Sequence, residues 1–158
     1  MEPRIVFHGA FTVMGVQERV NNDDPEFYHT LWMERYMPYD ERVKPLSTDK
    51  AYYSVYFARD QQEFCLDGMA VADAAASVAG IPVLEGLMLR EVPAGRYAAF
   101  ECTVKTIGQT WQGIFREWLP SSPYVPTPES SAFECYPPST ETGDSPVVIY
   151  LPISDKAS

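Results

Sequence analysis

Fourteen prolines are spread along 158 residues, and eight of them lie at or after Pro120. A proline ring removes a backbone N–H donor and crowds the preceding helical turn, so it bends or ends helices and stays out of central strands. The chain is therefore cut into short elements, and the last strands are expected to be short and bounded by loops. No run approaches a membrane span. The longest weakly polar stretch, Met69 to Leu89, is broken by Asp73, Gly80, Pro82 and Glu85.

Between the prolines the patterning alternates between strand and helix. Ile5–His8 and Phe11–Arg19 read as two strand runs broken at Gly9. Asn21–Asp24 is turn chemistry, Asp24 suits an N-cap and Pro25 a first helical position, so a helix is expected from there to about Met37, with Pro38 as its stop. Tyr28, Leu31, Trp32, Arg35 and Tyr36 fall at helical spacing and give that helix an aromatic face. Ala51–Arg59 and Glu63–Ala70 read as a hairpin around Asp60–Gln62, while Ala70–Ala79 fits helix and strand equally. Leu84–Val92 and Gly95–Val104 are strands. Thr106–Leu119 is a helix whose Ile107, Trp111, Ile114 and Trp118 form one apolar stripe, ended by Pro120. Ser121–Ser131 reads as loop, Ala132–Tyr136 as a short strand, and Val147–Ile153 as the closing strand.

Strand, helix, strand, strand thus occurs twice. The expected class is α+β, built from two β-α-β-β units over residues 3–82 and 83–154, with a tail at 155–158. The two units share no convincing sequence identity.

The charge balance, 12 − 22 = −10, and a pI near 4.5 argue against a chain that grips phosphate backbones directly. Cys65, Cys102 and Cys135 are odd in number and far apart, and no C-x-x-C is present, so neither a disulfide framework nor a zinc site is expected. His8 and His29 are too few for a histidine metal site. No cofactor is expected. With no signal peptide in Met1–Ala10, the plain reading is a reduced, cytoplasmic protein.

Ten Tyr, eight Phe and three Trp exceed what a small core needs, and such rings also line pockets. Most acids fall in loops, but Glu134 sits inside a strand. Alternation puts Phe133 and Cys135 on one face and Glu134 and Tyr136 on the other. If Phe133 and Cys135 meet the helix-covered core, Glu134 looks to the opposite side. Tyr150 opposes Ile149 and Leu151, so it either joins Glu134 or is merely exposed. Tyr52, Tyr53 and Tyr56 divide between the faces of their strand, and Trp111 and Trp118 have a plain core reading. A carboxylate among rings can recognise a cation through charge and ring faces, or hold a proton for hydrolysis.

From Glu91 onward the motifs are specific. Val92-Pro93-Ala94-Gly95-Arg96-Tyr97 opens a strand. Thr110-Trp111, Ile114-Phe115 and Trp118-Leu119-Pro120 mark the helix. Phe133-Glu134-Cys135-Tyr136 and Ile149-Tyr150-Leu151-Pro152-Ile153 mark the last strands. In this order the chain resembles the GyrI-like small-molecule-binding domain, also found at the C-terminus of AraC-type and MerR-type regulators. Leu31-Trp32, Tyr53-Ser54-Val55, Phe64 and Gly68 match more loosely. The resemblance implies an antiparallel sheet with two helices on one face, a ligand groove between the halves, and Glu134 as its central acid. Two positions depart from the pattern: Ser54 stands where a glycine is usual, and Cys65-Leu66-Asp67 fill a place usually aromatic before Gly68.

The expected ligand set is Glu134, Tyr136, Trp111, Tyr150, Tyr53, Phe115 and Met69, and the expected partner is a lipophilic, cationic or aromatic small molecule. No reading helix precedes the domain, so the resemblance implies a standalone form that could serve a regulator in trans, with neither nucleic acid nor membrane as a direct partner. A hydrolase opening cyclopropane-type rings, with Glu134, Trp111 and Tyr150 as its catalytic groups, is the alternative. An acidic protein-interaction module such as a topoisomerase inhibitor is weaker, because the acids form no run.

Overall fold

The computed structural model describes residues 2–72, 86–127, 130–138 and 142–157. Nine strands form one antiparallel system: β1 (Arg4–His8), β2 (Phe11–Arg19), β3 (Ser47–Arg59), β4 (Gln62–Val71), β5 (Met88–Val92), β6 (Gly95–Thr103), β7 (Tyr124–Pro126), β8 (Ala132–Tyr136) and β9 (Pro146–Asp155). Among the described residues two helical runs, α1 over residues 27–46 and α2 over residues 107–121, accompany it. The α+β class with two helices over an antiparallel sheet is as expected. The ambiguous stretch Ala70–Ala79 ends β4 at Val71, and its residues 73–79 lie outside the described residues, as do 84 and 85 of the expected Leu84–Val92 strand.

α1 departs from expectation at both ends. The Asp24 carboxylate accepts the Glu26 N–H at 2.9 Å, a local turn that delays the first regular helical residue to Phe27. Pro38 does not stop the run. It lies early in the tight turn Met37–Tyr39, and Pro45 lies early in a second, Lys44–Leu46, so helical backbone continues to Leu46. Proline is tolerated at the first positions of a helical turn, where its missing N–H would have little to bond. Both runs also widen into a π-helical turn, Leu31–Tyr36 in α1 and Ile114–Trp118 in α2.

The expected loop Ser121–Ser131 contains β7, which pairs Tyr124–Pro126 with Asp155–Ile153 of β9, so the closing strand runs one residue into the expected tail. Burial of Ile149 and Leu151 was legible; the length of β9 was not.

The path across the sheet is β1-β6-β9-β8-β3-β4-β2-β5. β1 and β2 are separated only by Gly9 and Ala10, yet stand first and seventh in that path; β5 and β6, separated by Pro93 and Ala94, stand eighth and second. Three Cα–Cα steps reach at most about 11 Å. The two edges of the sheet must therefore approach each other, and the sheet curls. Each half lends its first strand to the other: β1 pairs with β6, and β5 pairs with β2. The halves meet at β3 and β8.

The curl sorts the apolar residues by face. Val13, Tyr53, Val55, Leu66, Val92, Tyr97 and Phe133 gather inside it with Phe11 and Tyr150, all from strands. On the outer face α1 packs Leu31, Tyr36 and Val43 on Met14, Cys65 and Met69, and α2 packs Ile114, Trp111 and Trp118 on Ala98, Phe100, Ile149 and Leu151.

Close strand crossing requires glycine at one place. Gly15 pairs with Gly68. A Cβ on Gly15 would lie 2.0 Å from the Asp67 carbonyl oxygen, and one on Gly68 would lie 2.0 Å from that of Met14. Gly15→Ala should lower unfolding stability by at least about 2 kcal/mol, because backbone must shift on both strands. Gly108→Ala, in α2 with nothing within 4 Å of the added methyl, should raise it by about 0.5–1 kcal/mol. Urea denaturation of the two variants beside the parent chain checks both signs.

Candidate functional site

Register fixes which side chains share the outer face. Glu134 of β8 stands opposite Ser54 of β3 and Ile149 of β9, and Ser54 stands opposite Asp67 of β4. Ile149 is packed under α2, so Glu134, Ser54 and Asp67 form one row on the helix-bearing face. The flanking rows place Tyr136, Tyr52 and Met69 together, and Ala132, Tyr56 and Cys65 together. This corrects the sequence expectation. Phe133 and Cys135 look into the strand-lined interior, and Glu134 lies beneath the helices. The sheet has an apolar cluster on each face, so alternation separates the residues without saying which face carries the helices.

Glu134 is 3% exposed. Its Oε2 accepts the Trp111 indole N–H at 2.7 Å and the Tyr56 hydroxyl at 3.0 Å, and its Oε1 accepts the Tyr136 hydroxyl at 2.6 Å. All three donors are neutral. Burial pushes the carboxyl above its ordinary value, and the three hydrogen bonds pull part of the way back.

Each helical run sends an i, i+4 aromatic pair toward this carboxylate. On α2, Trp111 and Phe115 stack at 5.9 Å and 11°, and the Phe115 ring is 51% exposed. On α1, Trp32 lies 6.4 Å from Tyr136 in near-parallel planes, and Tyr28, 46% exposed, meets the edge of Tyr56 at 6.3 Å. Tyr56 in turn meets Trp111 edge-on at 6.0 Å. A belt of rings thus runs from α1 across the sheet to α2 and closes over Glu134. Trp111 belongs to the stripe that packs α2 and also points its N–H at the acid, so its core reading covers half of its role.

Of the expected ligand set, Glu134, Tyr136 and Trp111 come together in direct hydrogen bonds. Phe115 stands beside Trp111 at the exposed end. Met69 shares the face but is fully buried under α1. Tyr150 and Tyr53 are corrections. Tyr150 stacks on Phe133 at 4.6 Å and 15° inside the curl, and Tyr53 packs there too, its hydroxyl donating to Asp49 at 2.6 Å. Both follow from period-two alternation once Glu134 is placed with Ile149. The tyrosines of β3 that do face the helices are Tyr52 and Tyr56, and Tyr52 donates to Asp40 at 3.0 Å.

Sequence reading missed Tyr56 as a donor, Tyr28 and Trp32 as wall, and above all Asp67. Asp67 is also 3% exposed; its Oδ1 accepts the Ser54 hydroxyl at 2.6 Å and the Cys65 thiol at 3.4 Å. Burial raises its pKa to about 7, with the Glu134 charge adding to the rise and the two hydrogen bonds opposing it. The available signal was a lone acid in the otherwise uncharged run Cys65–Val71 of a strand.

A curled antiparallel sheet with two helices over a buried acid defines the class: a GyrI-like effector-binding domain. Residues 4–153 match Cass2, the integron-associated effector binding proteins, and the chain belongs to that family. No curated protein matches it. Among solved structures it is similar to SAV2435 bound to tetraphenylphosphonium, with a TM-score of 0.75, 12% identity, and coverage of 98% of this chain and 94% of that one. It is similar to the C-terminal domain of EcmrR, with a TM-score of 0.66, 13% identity and 98% of each chain covered. It is also similar to an integron cassette protein from the mobile metagenome of Vibrio cholerae, with a TM-score of 0.57, 20% identity, and coverage of 97% and 96%. At these identities the likeness is one of fold. Among the described residues no helix is long and apolar enough to cross a membrane.

The raised acids fix the sign of the pH response. A carboxyl whose folded pKa exceeds its unfolded one holds its proton more tightly when folded, so its contribution is greatest below the unfolded value and is lost as pH rises toward the folded one. For Asp67 that window runs from 3.8 to about 7. The melting temperature of the ligand-free protein should fall across that window, and Asp67→Asn should flatten the fall. Thermal melts from acid to neutral pH check it.

Proposed function

We propose that the chain binds lipophilic, aromatic organic cations in the groove between α1 and α2, with Glu134 meeting the positive charge and Trp111, Tyr136, Tyr56, Trp32 and Phe115 forming the walls. One observation carries this reading: a carboxylate 3% exposed whose three partners are neutral ring donors. An ion taken out of water costs several kcal/mol unless an opposite charge is supplied, and no donor around Glu134 supplies one. A cation resting among ring faces offsets that cost twice, by direct attraction and by interaction with the ring quadrupoles. The tetraphenylphosphonium of SAV2435 is a ligand of this chemistry on a similar fold.

Access requires movement of the belt. Tyr28 and Phe115 are its exposed members and lie at opposite sides of the acid, so they are the rings that yield when a ligand enters.

Tetraphenylphosphonium and tetraphenylborate share a shape and differ in the sign of their charge. The parent chain should bind the phosphonium and reject the borate in titration calorimetry. Glu134→Gln should weaken the phosphonium by roughly 30-fold or more, about 2 kcal/mol, because it removes the charge and keeps the side-chain shape, with the amide oxygen able to accept from Trp111 and Tyr56 and the NH2 able to donate to the Tyr136 oxygen. Equal binding of both ions by the parent would overturn the reading. Mass spectrometry of the recovered ligand separates binding from turnover; an unaltered ligand is expected.

A further inference from the structure

The row Glu134–Ser54–Asp67 crosses three adjacent strands, β8, β3 and β4, on the helix-bearing face. Its outer members are both carboxylates and both are buried. Two inter-strand spacings put their Cα atoms roughly 10 Å apart. Between them stands Ser54, a short side chain whose hydroxyl turns away from Glu134 to donate to Asp67 at 2.6 Å. Tyr56 and Cys65 flank the row on one side and Tyr52, Tyr136 and Met69 on the other, so both carboxylates lie on the face that the aromatic belt crosses. Burial first, and the charges of Glu134 and Asp67 after it, push the hydroxyls of Tyr28, Tyr56 and Tyr136 up.

The partners of the two acids differ in kind. Glu134 is held by three aromatic donors from α2, β3 and β8, in the plane of the belt. Among the described residues Asp67 is held by Ser54 and Cys65 of the sheet beneath, and both contacts fall on Oδ1. A carboxylate has roughly four acceptor positions shared by its two oxygens, so Asp67 keeps acceptor capacity on Oδ2.

We propose that Asp67 is a second cation-recognising carboxylate of the groove, and that the ligands it selects are flat aromatic dications that turn one charge toward each acid. This rests on the reading of the groove as a cation site and adds to it the number of the charges. One charge lies at Glu134 and the other at Asp67, over Ser54.

Two biaryl cations of nearly identical shape make the test. N,N′-dimethyl-4,4′-bipyridinium carries two quaternary nitrogens across two rings; 1-methyl-4-phenylpyridinium carries one. Titration calorimetry with the full chain should show the dication bound roughly tenfold or more tightly, and Asp67→Asn should bring the ratio of the two affinities close to one. Far-UV circular dichroism and a thermal melt establish that the variant is folded; if Asp67→Asn does not fold, Asp67→Ser removes the same charge and carries the same expectation. A parent chain without preference for the dication overturns the proposal, as does a folded Asp67 variant that keeps the preference. If tetraphenylphosphonium binds while neither biaryl does, the second carboxylate is likewise overturned and the groove reading stands. If none of the three cations binds, the groove reading falls, and the proposal with it.

Discussion

A carboxylate pressed between a sheet and two helices has given up its water, and the surroundings of Glu134 are arranged about that loss. Three ring donors replace part of the hydration, from α2, β3 and β8. Each must be held in place for the bond to persist. Trp111 is held by the stripe that packs α2 onto Ala98, Phe100 and Ile149, and Tyr56 and Tyr136 by the pairing of β3 with β8. The same packing that folds the domain therefore aims its donors. The replacement is incomplete, because neutral donors solvate a charge without cancelling it, and the carboxyl remains raised. That residual cost is one that a positive charge placed beside the carboxylate would offset.

The topology explains why the acid can occupy the middle of the molecule. The sheet is continuous through β3 and β8, where the halves meet, and each half completes its edge with a strand from the other. Because the edges curl together, the strand-only cluster around Tyr53, Phe133 and Tyr150 fills one face and supports the sheet without helices. The helices are then needed over the outer flanks, one over each half, and the seam between them falls above β3 and β8. Glu134 lies at that seam. Both helical runs widen into a π turn beside it, carrying Trp32 and Phe115, and such turns interrupt helical regularity where side chains must be aimed rather than merely packed.

Much of this was legible along the chain. The strands at Ile5–His8, Phe11–Arg19 and Ala132–Tyr136, the stripe of α2, and the separation of Glu134 from Phe133 follow from period and propensity alone. What was not legible is long-range. Alternation says that Glu134 and Tyr150 fall on definite faces, but only the pairing of Glu134 with Ile149 tells which, and it puts Tyr150 on the other one. A single helix-covered core, the simplest assumption, fails because curling gives the sheet two apolar faces. Pro38 misled for a local reason: a tight turn accepts proline early, and helical backbone resumes after it. Asp67 escaped notice because its partner, Ser54, is thirteen residues away in sequence and adjacent only through the hairpin.

That hairpin links the two places where the sequence departs from the pattern it resembles. A serine in place of a glycine and an acid near a place usually aromatic look like unrelated substitutions when read along the chain. Across β3 and β4 they are direct register partners joined by a 2.6 Å hydrogen bond. Each makes sense of the other. Without the serine hydroxyl, Asp67 would keep only the weaker thiol donor of Cys65 and sit deeper in its desolvation cost. Without the acid, the buried hydroxyl of Ser54 would lose its acceptor. The pair therefore acts as a unit, and its effect is to replace ring surface by charge at one end of the row that Glu134 occupies at the other. The ring donors around Glu134 are left intact by this exchange, because none of them comes from β4.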